Sequence, residues 1–129
     1  MVVIDTPALV MWLSGQGTLS PAMRERIERE RHAGALAISV ISVLEVSQYV
    51  DGGRLKLSVD KRRWLSTLVS IDGLQVIPVD MAITIRAANF PIEIDMNLRL
   101  IAATAITVDA VLITPDKRLH TLVYGESVW

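Results

Sequence analysis

Four short apolar runs, at residues 2–4, 36–39, 75–79 and 110–114, recur along the chain with longer cap-bounded segments between them. Each run is too short for a helix and too continuously apolar for a half-exposed strand, so each reads as a strand buried on both faces. Strands that alternate with helices pair in parallel, because each return to the same end of the sheet needs a crossover. The pattern predicts an α/β fold with a mostly parallel sheet covered on both faces. In such sheets ligands sit beyond the C-terminal ends of the strands.

The helices between the runs announce their ends. A short helix is expected over 7–13, closed by the Ser14-Gly15-Gln16-Gly17 stretch, and Ser20-Pro21 opens a second over 22–33. Further helices are expected over 42–50, from Asp60 to 68, from Asp80 to 88 and over 96–107, with a short one starting at Pro115-Asp116. The arginines of the second helix, and Lys61, Arg62 and Arg63, read as solvated faces.

Composition narrows what such a fold can do. At 129 residues one domain, 1–129, is expected, and 51% hydrophobic residues exclude disorder and predict a buried interface, hence a homodimer, as well as a core. Thirteen basic against fourteen acidic residues give a net charge of -1, so any polyanion must be held by a local patch and not a global field. There is no cysteine, which removes disulfides, thiolate ligands and thiol nucleophiles. The opening Met-Val-Val-Ile-Asp lacks a basic leader segment, and the charge-free stretch 6–23 is broken by Pro7, Gly15, Gly17 and Pro21. No membrane segment is expected, and the cytoplasm is the expected setting.

Four acids stand where this topology would gather them. Asp5 ends the first run and Asp116 follows the last, while Glu45 lies early in the helix after the second run and Asp95 just before the helix over 96–107. Carboxylates that share a cavity repel one another unless a cation neutralises them. With no Cys and only His32 and His120, the hard oxygen donors favour Mg²⁺ or Mn²⁺ over Zn²⁺. Such an ion can activate water and stabilise charge building on a phosphodiester, as RNA hydrolysis requires. Each acid except the first also has a structural reading. Ser42 and Glu45 have the spacing of a capping box, and Asp95 and Asp116 are placed as N-caps, whereas Asp5 is expected to have no cap to make before Pro7.

Val-Val-Ile-Asp-Thr-Pro-Ala-Leu at 2–9, Ile-Ser-Val-Leu-Glu-Val at 41–46, Leu-Arg-Leu-Ile-Ala-Ala-Thr-Ala at 98–105 and Leu-Ile-Thr-Pro-Asp-Lys-Arg-Leu at 112–119 together resemble the signatures of PIN domains of the VapC toxin type, in the family's order. The resemblance implies a PIN-like three-layer α/β/α sandwich and a metal-dependent endoribonuclease. It implies Asp5, Glu45, Asp95 and Asp116 as catalytic residues, with Asp5, Asp95 and Asp116 as metal ligands. It also implies a homodimer paired with a VapB-type antitoxin, for which the stretch Val10-Met11-Trp12-Leu13 suits an interface.

One position departs from the family pattern. The family commonly reads Asp-Pro-x-Asp-Arg before Leu-Ile-Ala-Ala-Thr-Ala, and here Asp95 matches the auxiliary first Asp while Leu98 takes the place of the principal one. Leu98 is expected to join Ile101, Ala102 and Ala105 in an apolar stripe. The alternative function is therefore a PIN-fold binding module that pairs with an antitoxin and cuts RNA poorly. A phospho-receiver domain would need an acidic pair after the first strand and a Lys after the last, and this chain has a single Asp5 and Thr114-Pro115-Asp116.

Overall fold

The computed structural model describes residues 1–15, 17–120 and 125–129. Its elements run β1 (Val2–Ile4), α1 (Thr6–Ser14), α2 (Pro21–His32), β2 (Leu36–Ser39), α3 (Val40–Asp51), α4 (Lys61–Val69), β3 (Leu74–Ile77), α5 (Met81–Ala88), α6 (Met96–Thr107), β4 (Val111–Ile113), α7 (Lys117–His120) and β5 (Ser127–Val128). The strands form one sheet in the order β3-β2-β1-β4-β5, and every pairing is parallel. This is the expected α/β/α sandwich. β5 is the strand that periodicity missed, since two residues carry no pattern.

The strands' side chains divide between two cores, as a period of two dictates. Val2 and Ile4 face a cluster with Leu9 and Trp12 of α1, Ile27 of α2, Val46 of α3 and Leu68 of α4, while Val3 faces Ile83 of α5 and Ile101 and Ala103 of α6. Both faces of β1 are thus dry, which explains the unbroken apolar run. Of the stretch 10–13, Trp12 is buried and its indole N–H donates to Glu28 Oε1 at 2.8 Å, Val10 packs against the same cluster, and Leu13 is exposed. At the entry to β3, Gly73 has φ +84°, and a Cβ there would meet the Arg31 carbonyl oxygen at 2.0 Å. Only glycine fits that crossing of α2 and β3.

Two starts differ from expectation. α3 begins at Val40, capped by Ser39, whose hydroxyl accepts from the Ile41 N–H at 3.1 Å. Ser42 therefore lies inside the helix, and Ser42-Glu45 is no capping box. α1 begins at Thr6, and Asp5 does cap it, accepting from the Ala8 N–H at 2.9 Å. Pro7 does not prevent this. It occupies the second helical position, which needs no N–H of its own, and the bond passes over it to the third.

Among the described residues no helix is long and apolar enough to cross a membrane.

Candidate active site

The parallel register of β1 and β4 pairs Ile4 with Ile113, so the residues that follow both strands emerge at the same end of the sheet. Here Asp5, Glu45, Asp95 and Asp116, from four separate stretches of chain, all line one open cavity of about 540 Å³. Thr6, Tyr49, Arg54 and Leu98 line it with them.

Asp5 is the buried member, 1% exposed. Oδ1 accepts from Ala8 N–H, and Oδ2 accepts from the Thr114 hydroxyl, so both oxygens are fixed. Burial pushes its carboxyl up from 3.8 to about 6, against the lowering effect of those two bonds, and the negative charges of Glu45 and Asp116 add to the rise. At neutral pH the group is mostly a carboxylate, but an expensively desolvated one.

Glu45 is held from the same wall. The Thr6 hydroxyl lies 2.7 Å from Glu45 Oε1 and 3.0 Å from Ser42 Oγ. A hydroxyl has one proton and a carboxylate only accepts, so Thr6 donates to Glu45 while sharing with Ser42. Thr114 links two acids: besides donating to Asp5 it accepts from the Asp116 N–H at 3.1 Å.

The opposite wall is more open. Asp95 is exposed and spends Oδ2 on the Leu98 N–H at 3.1 Å, capping α6. Leu98, half-buried, packs against the second core and also lines the cavity. It thus belongs to the apolar stripe and faces the acids at once. Asp116 is gripped by Arg118, with Nε 3.0 Å from Oδ1 and Nη2 2.6 Å from Oδ2, and that guanidinium holds its carboxyl below the usual range. Nη1 of Arg118 reaches the Glu93 carbonyl at 2.7 Å, tying the turn after β4 to the loop before α6.

The donor set suits a hard divalent cation in kind: four carboxylates around one cavity, one of them raised in pKa by burial and like charge. Among the described residues, however, no three His, Asp or Glu side chains stand close enough together to hold a metal ion as placed. Asp95 serves its own helix and Asp116 its own arginine. Neither histidine lines the cavity: the His32 ring meets the Glu28 carbonyl and the His120 ring the Thr114 carbonyl.

The PIN-domain family model matches residues 2–123. The chain belongs to the PIN-domain family. A curated relative, Ribonuclease VapC22 of Mycobacterium tuberculosis, is 29% identical over 122 residues, covering 93% of this chain and 90% of that protein. Among solved structures, VapBC2 of Rickettsia felis bound to a DNA fragment from its promoter superposes with a TM-score of 0.72 at 19% identity, covering 99% of this PIN domain and 98% of that chain. A toxin-antitoxin complex from Klebsiella pneumoniae gives 0.68 at 20% identity over 100% and 97%. At these identities the structures speak for the fold.

Thr6, Tyr49, Arg54 and Arg118 were not legible as site residues of this PIN domain from sequence. Thr6 adjoins Asp5, which is a weak signal. Tyr49 stands one helical turn after Glu45 and Arg118 two residues after Asp116, which are weak local signals as well, whereas Arg54 enters the cavity only through the fold.

Proposed function

We propose that this chain is a metal-dependent endoribonuclease, the toxin of a VapBC-type pair, with Asp5, Glu45, Asp95 and Asp116 as its catalytic acids. The observation that carries the reading is their meeting in one cavity at the C-terminal ends of the strands. Kinship with a ribonuclease supports it. Asp5, Asp95 and Asp116 would hold Mg²⁺ or Mn²⁺, which when bound supplies Lewis acidity toward a phosphodiester. The chain's own work is positional. Ala8 N–H and Thr114 fix Asp5, and Thr6 fixes Glu45, so that wall needs no reorganisation when substrate arrives. Asp116, paired with Arg118 here, would serve as a ligand only when released from that guanidinium.

The proposed partner is a VapB-type antitoxin, in keeping with relatives solved as toxin-antitoxin complexes. The homodimer proposal rests on exposed Met81 and Ile85 of α5 and exposed Ile92 and Met96 at the approach to α6. We place the protein in the cytoplasm, where its RNA substrate is.

Leu98 supports the second reading, a binding module that cuts RNA poorly, because it presents methyl groups to the cavity. Purified protein incubated with structured RNA and Mn²⁺ separates the two. Cleavage that chelator abolishes and Asp5→Asn removes supports the enzyme, and antitoxin binding without cleavage supports the module.

A further inference from the structure

An acid-lined cleft repels the polyanion it is meant to cut, and the net charge of -1 gives no general attraction to offset this. A divalent ion would offset only part of the charge of four carboxylates, so a protein cation beside them would help to hold the polyanion. Among the residues that line the cavity Arg54 alone is basic. It follows the C-terminus of α3, where the N–H groups of Arg54 and Leu55 both donate to the Tyr49 carbonyl, at 2.8 and 3.1 Å. This backbone clamp brings the Arg54 guanidinium over the Tyr49 ring, 4.3 Å from its centroid.

The stacking restricts the side chain without using its donors. Among the described residues the Arg54 guanidinium makes no ion pair or hydrogen bond, whereas Arg118 is committed to Asp116 and Glu93 and Arg99 to the Ile92 and Ile94 carbonyls. Tyr49 itself faces the acids: burial raises its hydroxyl's pKa, and Glu45, Asp5 and Asp95 contribute to the rise. A planar cation held over an aromatic ring, with its N–H donors uncommitted among the described residues, suits bidentate contact with a phosphate.

We infer that Arg54, stacked on Tyr49, is the phosphate-binding residue of the cavity and seats a backbone phosphate of single-stranded RNA beside the acids. The inference rests on the ribonuclease reading and adds a protein cation to the charge that a bound metal would supply. Tyr49 is a positioning residue, acting through Arg54.

The test is binding of a fluorescent single-stranded RNA oligonucleotide to the full chain, followed by anisotropy across a salt series, in chelator and with Mn²⁺. Arg54→Gln is expected to weaken binding about fivefold to twentyfold and to flatten the logarithmic salt dependence by about 0.7, the signature of one lost single-strand phosphate contact. Arg54→Lys should keep most of the salt slope but lose affinity, and Tyr49→Leu should lower affinity with a smaller change in slope. Arg62→Gln, which removes an exposed charge on α4, is the control for net charge.

Equal losses from Arg62→Gln and Arg54→Gln, an unchanged slope in Arg54→Gln, or an effect confined to the same oligonucleotide made as DNA would overturn the assignment. Wild-type protein that binds RNA in neither condition would remove the ribonuclease reading as well. Wild-type binding with an indifferent Arg54→Gln would leave that reading standing and remove only this one.

Discussion

On the β1 side of the cavity Asp5 is buried, accepts two hydrogen bonds and sits beside a Glu45 held by Thr6. On the α6 side Asp95 is exposed and caps its own helix, Leu98 offers methyl groups, and Asp116 is paired with an arginine two residues on. One wall is dry and built before any ligand arrives. The other keeps its carboxylates occupied. The contrast shows that similar acids can be set for different work by burial and partners alone: the first wall stores the electrostatic cost, and the second sets how readily a cation relieves it.

The sharpest break of this comparison is Asp5→Asn, which removes the buried charge and keeps the shape. RNA cleavage should fall by about 100-fold or more. Stability should move the other way with pH. Asp5 titrates at about 6 in the folded protein against 3.8 ordinarily, so folding favours its protonated form. That contribution is complete below the ordinary value and is lost as pH rises through 6, leaving a cost of roughly 3 kcal/mol at pH 8 as an upper bound. In chelator the variant should therefore melt above wild type at pH 8, and the gap should close towards pH 4. A gap independent of pH would mean that Asp5 is not desolvated.

Thr114→Val tests whether the dry wall is held by hydrogen bonds. The valine leaves buried Asp5 Oδ2 without a donor and the Asp116 N–H without an acceptor, at a cost of about 1–3 kcal/mol in denaturant melts. The Asp5 titration, followed by carboxyl NMR, should move further up. An unchanged titration would mean that the Thr114 bond has no part in setting its position.

Leu98→Asp works on the open wall. It should raise Mn²⁺ affinity and cleavage about tenfold, since it adds a hard oxygen ligand where methyl groups now stand. In chelator the melting temperature should drop, because apolar contact is lost and another negative charge joins the acids. Mn²⁺ should restore it by binding the native state. If cleavage and metal-dependent melting do not respond, position 98 contributes nothing to the cavity's chemistry.

The smallest expected effect is that of Arg118→Gln. Loss of the guanidinium should let the Asp116 carboxyl titrate closer to its ordinary value, and Mn²⁺ should bind a few-fold more tightly in calorimetry because it no longer competes with an internal cation. Folding stability should fall only slightly, since Arg118 is half-exposed, although its bond to the Glu93 carbonyl is lost as well. Weaker metal binding in the variant would mean that Arg118 presents Asp116 to the cavity instead of withholding it.

Much of this molecule can be read from its local pattern. The apolar runs place four of the five strands within a few residues, and Ser20, Asp60, Asp80 and Asp95 cap the helices they were expected to cap. Capping is decided within four residues of chain, so sequence carries it. The capping role of Asp5 is hidden in the sequence by Pro7, which offers no N–H, while the bond goes past it to Ala8. The helix expected over 42–50 starts at Val40, because Ser39, the last residue of β2, accepts from the Ile41 N–H and turns the chain straight from strand into helix, which the spacing of Ser42 and Glu45 does not show.

By itself, then, the sequence determined the alternation of strand and helix, the parallel sheet it requires, and the placement of Asp5 and Asp116 beyond strands that end at one side. These follow from periods of a few residues and from the handedness and length of crossovers. The tertiary structure alone decided which distant groups the acids meet. Thr114 reaches Asp5 across 109 residues of chain and Thr6 reaches Glu45 across 39, while Arg54 lies over Tyr49 in the same cavity. Such contacts have no period. They depend on how two cores pack against one sheet, and that packing is set by the shape of the whole chain and not by any stretch of it.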